Sequence, residues 1–183
     1  MNYKVLWIDD EFKKQLDFIG EAEQEGIDII AFESHDEGIK ELNSKLDYYH
    51  AVILDAKVKK AKEDLIASLS GLMASRDRLI EINGSHYMPF FIFTGRPDYK
   101  KADWFKENYG KYYIKALDNE RLFTDLKEAI SKKKEYQVKR KYKDVFEVCD
   151  ERYIGNDAAK YLLDILISNE FPSDSFNDEK YFN

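Results

Sequence analysis

Lys4–Glu11 (KVLWIDDE) constrains the fold more than any other stretch: four apolar residues, Val5, Leu6, Trp7 and Ile8, run straight into three acids, Asp9, Asp10 and Glu11. A short run rich in Val, Ile and Trp, with no polar alternation, has no side suited to water and reads as a strand covered on both faces of a parallel sheet. Open α/β sheets place their ligand crevice beyond the carboxyl ends of the strands, where these acids fall. Adjacent carboxylates repel one another, and a bound cation relieves that repulsion most directly.

The same pattern recurs along the chain. Ala51–Asp55 (AVILD) is a second apolar strand ending in a carboxylate, Pro89–Phe93 (PFFIF) a third ending at Thr94 and Gly95, and Lys111–Ile114 (KYYI) a fourth ending at Lys115. Ile27–Phe32 (IDIIAF) completes a set of five. Between them lie stretches with helical spacing. Phe12–Glu25 carries Phe12, Leu16, Ile19 and Ala22, with Gly26 as its stop, and Ser34–Leu46 opens on a capping pair, Ser34 and Glu37. Ala56–Asn83 is helical in pattern, with Gly71 as its weak point; Asp98–Asn108 is a short helix; Glu120–Ser131 presents Leu122, Phe123, Leu126 and Ile130 on one side. Five alternations of strand and helix imply a parallel sheet with right-handed crossovers.

The remainder breaks the rhythm. Lys132–Lys143 holds seven basic residues against one acid. Val145–Glu170 is helical in period, with Ala159, Leu162, Leu163, Leu166 and Ile167 as its apolar stripe. Asn169–Asn183 is acidic, interrupted by Pro172, and expected to be loosely ordered. A net charge of −7 argues against a nucleic-acid or membrane surface for the whole molecule. One cysteine, Cys149, excludes an intramolecular disulfide, and no run approaches the roughly 20 apolar residues of a membrane span, so the expected location is the cytoplasm. His35, His50 and His86 have no Cys or His at ligand spacing and read as surface residues.

The polar residues at the strand ends suit one chemistry. Asp9, Asp10 and Asp55 supply the oxygen ligands a hard divalent cation such as Mg²⁺ takes. Asp55 is a carboxylate nucleophile able to form an acyl phosphate. The Thr94 hydroxyl and the Lys115 ammonium then bind the oxygens of an arriving phosphoryl group.

This ordered set resembles the receiver domain of two-component response regulators, over about residues 1–131. The resemblance implies a flavodoxin-like doubly wound (βα)5 sheet in the order 2-1-3-4-5, followed by C-terminal helices over 132–183. It implies an acidic pair at Asp9 and Asp10, a phosphoacceptor at Asp55, Mg²⁺ held also by the backbone carbonyl of Lys57, a switch threonine at Thr94, the lysine after the fifth strand at Lys115 and a switch aromatic at Tyr112. The implied partners are a histidine kinase or phosphotransfer protein, an output protein, and a second copy of the chain. The implied chemistry is self-phosphorylation and slow autodephosphorylation, with no separate enzymatic substrate. Two departures stand out. Asp55 and Thr94 are 39 residues apart, more than the family pattern, with Lys57, Lys59, Lys60 and Lys62 in the excess. Ala116 replaces the proline that follows the lysine. Two other readings of the same residues are a receiver-like interaction module that is never phosphorylated and a phosphatase of the haloacid dehalogenase type. The phosphatase needs a second aspartate two residues after its nucleophile, and Asp55 is followed by Ala56 and Lys57.

Overall fold

The computed structural model describes residues 2–61, 63–64, 69–83, 86–95, 111–147 and 155–172. They divide into two compact units, one of Asn2–Ile130 and one from Ser131 onward. The first contains β1 (Tyr3–Ile8), α1 (Leu16–Gln24), β2 (Ile27–Phe32), α2 (His35–Ser44), β3 (Ala51–Leu54), α3 (Leu69–Asn83), β4 (Phe90–Thr94) and β5 (Tyr112–Ile114). Helix α4 (Asn119–Lys141) starts in it, and α5 (Lys143–Glu147) and α6 (Asn156–Glu170) follow.

All strand pairs are parallel, and the order is β2-β1-β3-β4-β5, as the resemblance implied. Because successive side chains of a strand point to opposite faces, an apolar run such as β1 feeds two cores at once. Leu6 and Ile8 join Val52, Leu54, Ile92 and the residues of α2 and α3 on one face. Val5 and Trp7 join Phe18 of α1, Phe93, and Leu122, Phe123, Leu126 and Ile130 of α4 on the other. The central strands are therefore sealed on both sides, while the edge strand β2 stays half-buried over most of its length.

Local chemistry explains the helix starts. Ser34 caps α2: its Oγ accepts the Glu37 N–H at 3.4 Å, and its hydroxyl donates to the Glu37 carboxylate at 3.3 Å. A 3-10 turn over Phe12–Lys14 precedes α1, so the expected helix from Phe12 begins four residues later.

Three further expectations are corrected. Ala56–Asn83 is not helical from its start. Ala56 and Val58 are buried, Lys59 makes a parallel bridge with Ser34, and the carbonyls of Lys59 and Lys60 accept the N–H groups of His35 and Asp36, each at 2.9 Å. Those N–H groups are first-turn donors of α2 with no partner inside their own helix, so the segment after Asp55 satisfies them rather than coiling on itself. Gly71 is a close-approach site and not a weak point: a Cβ there would lie 2.5 Å from the Val58 carbonyl oxygen. His35 and His50 are not free surface residues; His35 Nδ1 lies 2.7 Å from Ser75 Oγ, and His50 Nδ1 accepts the Lys4 N–H at 2.9 Å.

Helix α4 runs ten residues past Ser131, to Lys141, because KKKEYQVKRK is composed largely of good helix formers with no Gly or Pro to stop it. The stretch read as one helix over Val145–Glu170 takes in the last three residues of α5 and all of α6, the latter preceded by Gly155 at φ 90°. In this second unit Lys141 Nζ pairs with Glu170 at 2.6 Å, and the Tyr142 hydroxyl donates to the same carboxylate at 2.5 Å. The helix expected over Asp98–Asn108, Cys149 and the acidic end from residue 173 lie outside the described residues. No helix among the described residues is long and apolar enough to cross a membrane.

Candidate functional site

The sheet register sets the site. Ile8 stands opposite Leu54, and the Asp55 N–H donates to the Ile8 carbonyl at 2.9 Å, so Asp9 and Asp55 leave adjacent strands at the same level. Thr94 pairs with Ile114 and its carbonyl accepts the Lys115 N–H at 2.9 Å, which places Lys115 one step beyond Thr94. Four residues distant in sequence thus reach one end of the sheet. Asp9, Asp55 and Thr94 are buried there, and Asp10 is half-buried.

Lys115 Nζ lies 2.5 Å from Asp9 Oδ2 and 2.8 Å from Asp55 Oδ1. The remaining oxygens take backbone donors: Asp9 Oδ1 accepts the Glu11 N–H at 2.8 Å, and Asp55 Oδ2 the Lys57 N–H at 2.9 Å. Carboxylate oxygens of Asp9, Asp10 and Asp55 come within 4.8 Å of one another, a spacing and a donor chemistry that fit a hard divalent cation. Three acids against one ammonium leave the cluster net negative, which favours such an ion further.

The electrostatics follow from burial and like charge. Burial pushes the Asp55 carboxyl above the ordinary carboxylate range, with Asp9 adding to the rise and Lys115 opposing it. Asp10 is raised likewise by burial and then by Asp9. Burial works against the Lys115 ammonium, but Asp55 and Asp9 together outweigh it and hold the ammonium charged. Its Nζ also sits 5.8 Å from the ring centroid of Trp7, whose indole N–H is buried without a hydrogen-bond partner among the described residues.

Tyr112 is buried in β5, beside Ile92 and on the α2–α3 side of the sheet. Ala116 adopts φ 66°, a left-handed value closed to proline, and its N–H donates to Asn119 Oδ1 at 3.1 Å. The turn after Lys115 is therefore closed by Asn119 and by Asp118, which accepts the Ile114 N–H at 2.8 Å, in place of the proline of the family pattern.

The sequence reading missed the segment after Asp55 and the contact of Trp7 with Lys115. The 39-residue spacing signalled an insertion, but its Lys, Ala and Glu content favoured helix. No signal in the sequence ties Lys59 to Ser34, because that bridge exists only once β1 lies between β2 and β3.

No protein-family model and no curated protein matches the sequence. Solved structures do match. A response regulator receiver domain protein from Clostridium thermocellum is 25% identical with a TM-score of 0.52, over 72% of this chain and 97% of that one. A CheY-like receiver domain protein from Methanospirillum hungatei is 16% identical with a TM-score of 0.51, over 74% and 99%. NtrX from Brucella abortus is 20% identical with a TM-score of 0.53, over 79% of this chain but 29% of that longer one. From its sheet order and these likenesses, the chain has the fold of response regulator receiver domains, with helices following it at the C-terminal end.

Proposed function

We propose that the chain accepts a phosphoryl group on Asp55 in two-component signalling and switches a protein-interaction surface in response. The carrying observation is Lys115 Nζ held at 2.5 Å from Asp9 and 2.8 Å from Asp55, where three carboxylates converge at the strand ends. We assign the Mg²⁺ ligands as Asp9, Asp10, Asp55 and the backbone carbonyl of Lys57. Mg²⁺, when bound, offsets the negative charge that otherwise repels a phosphoryl group.

A carboxylate oxygen of Asp55 attacks the phosphorus of a phosphohistidine. The P–N bond breaks as the P–O bond forms, and the released imidazole of the donor retains the bonding pair and takes a proton. Lys115 and the Thr94 hydroxyl bind the phosphoryl oxygens and neutralise the charge that arrives. Thr94 moves toward the new group, and Tyr112, on the neighbouring strand, repacks with it. The donor is a histidine kinase or phosphotransfer protein in the cytoplasm, and the output is a partner protein rather than nucleic acid. Residues 1–131 form the receiver and 132–183 the helical extension in this reading.

One observation favours a second reading. Lys115 pairs with both Asp9 and Asp55, so the chain itself supplies a cation to the cluster, an arrangement also compatible with an interaction module that is never phosphorylated. Incubation with Mg²⁺ and acetyl phosphate, followed by intact mass, separates the two. A gain of one phosphoryl group by the parent and none by Asp55→Asn supports the receiver. No gain, with no Mg²⁺ binding, leaves the interaction module.

A further inference from the structure

We propose that Trp7 is a positioning residue of the strand-end site: the face of its indole ring seats the Lys115 ammonium beside Asp9 and Asp55. The proposal rests on the reading that Lys115 meets the arriving phosphoryl group. A strand covered on both faces asks only for apolar bulk, which Val5 and Ile8 supply without a polar atom. Trp7 is fully buried, and its indole N–H has no hydrogen-bond partner among the described residues. A buried donor left unpaired costs free energy, so packing alone does not account for a tryptophan there.

The surroundings of the ring point to its face. Trp7 lies in β1 two residues before Asp9, and the Asp9 N–H continues the ladder to the Phe32 carbonyl at 2.9 Å, so both side chains leave the same side of the strand. Lys115 starts beyond β5 and reaches them across the ends of β4 and β3. Its Cδ lies 3.8 Å from the position a Cβ on Gly95 would take, and its Nζ ends 2.8 Å from Asp55, 2.5 Å from Asp9 and 5.8 Å from the Trp7 ring centroid. An ammonium so far removed from water is favoured over the negative face of an indole, the best aromatic partner for a cation. The ring is held in place, because Phe18 meets it edge-on at 5.2 Å between centroids and Phe93 lies at 6.2 Å. Asp9 and Asp55 change charge or partner when the site is used, whereas Trp7 does not. Its ring is the fixed contact that keeps the ammonium beside Asp55 throughout.

The first readout is the emission of Trp7 in the full chain carrying Trp104→Phe, which leaves one tryptophan, with circular dichroism as a check of folding. A positive charge over an indole shifts the energy of its excited state. Adding Lys115→Met, without Mg²⁺ or phosphodonor, is therefore expected to move the emission maximum by several nanometres. The second readout is phosphorylation by acetyl phosphate with Mg²⁺, followed by intact mass. Trp7→Leu, which removes the ring but keeps apolar bulk, is expected to slow it about tenfold, and Trp7→Phe, which keeps a ring face, to recover most of the rate. Emission that ignores Lys115→Met overturns the proposal, and so does a parent-like rate in Trp7→Leu. Equal slowing in Trp7→Phe and Trp7→Leu overturns it also, by assigning the loss to packing. If the parent gains no phosphoryl group, the reading of the site falls, while the emission still decides whether Trp7 seats Lys115. Should Trp7→Leu fail to fold, the emission decides in the same way.

Discussion

The strand-end cluster and the C-terminal helices both hold lysine–carboxylate pairs, yet the pairs belong to different physical regimes. Lys115 is pinned between Asp9 and Asp55 where side-chain exposure is 11%, 1% and 10%. Lys141 meets Glu170 with the lysine 58% exposed. In water a long side chain gives up rotamer freedom for a screened attraction, and such pairs contribute about 0–1 kcal/mol. In the interior the same charges interact strongly, and each is costly once its partner is gone. An ion pair in the fold is therefore informative about function where it is buried and close to neutral about stability where it is not.

The largest effect that sharpens this contrast is expected for Lys115→Ala. Without Mg²⁺ at neutral pH it leaves Asp9 and Asp55 facing each other uncompensated, at a cost of about 3 kcal/mol in urea unfolding. The cost should shrink as pH falls, because burial has already raised the Asp55 carboxyl and protonation then removes the repulsion. A cost below about 1 kcal/mol would place the cluster in the same regime as the surface pairs.

Gly71→Ala tests packing in place of charge. The new Cβ would fall 2.5 Å from the backbone oxygen and 2.7 Å from Cγ1 of Val58, and a backbone atom cannot rotate aside. We expect a loss of about 1–3 kcal/mol, read as a fall in Tm. An unchanged Tm would mean that the segment after Asp55 does not lie against α3 in solution.

His35 gives the pH test within the same unit. Burial lowers its pKa, helped by Lys60 and opposed by Asp36. The folded protein therefore prefers the neutral ring, and stability is lost as pH falls through the ordinary histidine value near 6.5. One proton limits the slope to about 1.4 kcal/mol per pH unit. His35→Gln should flatten the difference between pH 7 and pH 5 relative to the parent; an equal slope in both would assign the dependence to other groups.

The smallest effect is expected in the tail. Glu170→Gln removes the charge that pairs with Lys141 but keeps an acceptor for the Tyr142 hydroxyl. The midpoint of thermal unfolding is expected to stay close to that of the parent. A larger loss would show that the tail pair is cooperative with its surroundings and would erase the contrast with Lys115.

The strands and their acids were legible in the sequence for a common reason. A strand covered on both faces has to be a continuous apolar run, and Asp9, Asp55, Thr94 and Lys115 each lie at the end of one, so the pattern marks both the element and the site. Ser34 and Glu37 were readable because a helix N-cap is a contact between neighbours in sequence. The segment after Asp55 was not readable in the same way. Its helix-forming composition was overridden by the unpaired N–H groups of His35 and Asp36, more than twenty residues away. The end of α4 was misjudged for the converse reason: its composition changes from amphipathic to basic at Lys132, but backbone hydrogen bonding does not depend on amphipathicity and the helix continues.

The sequence by itself determined the class of fold and the chemical character of the site, because hydrophobic periodicity and carboxylate placement are local properties of the chain. Tertiary structure alone decided that Lys115 stands between Asp9 and Asp55, that Val58 requires Gly71, and that Ala116 turns with positive φ where the family pattern has proline. Each of these depends on the register between strands or on the approach of two backbones. Register is a relation between segments, and no single segment encodes it.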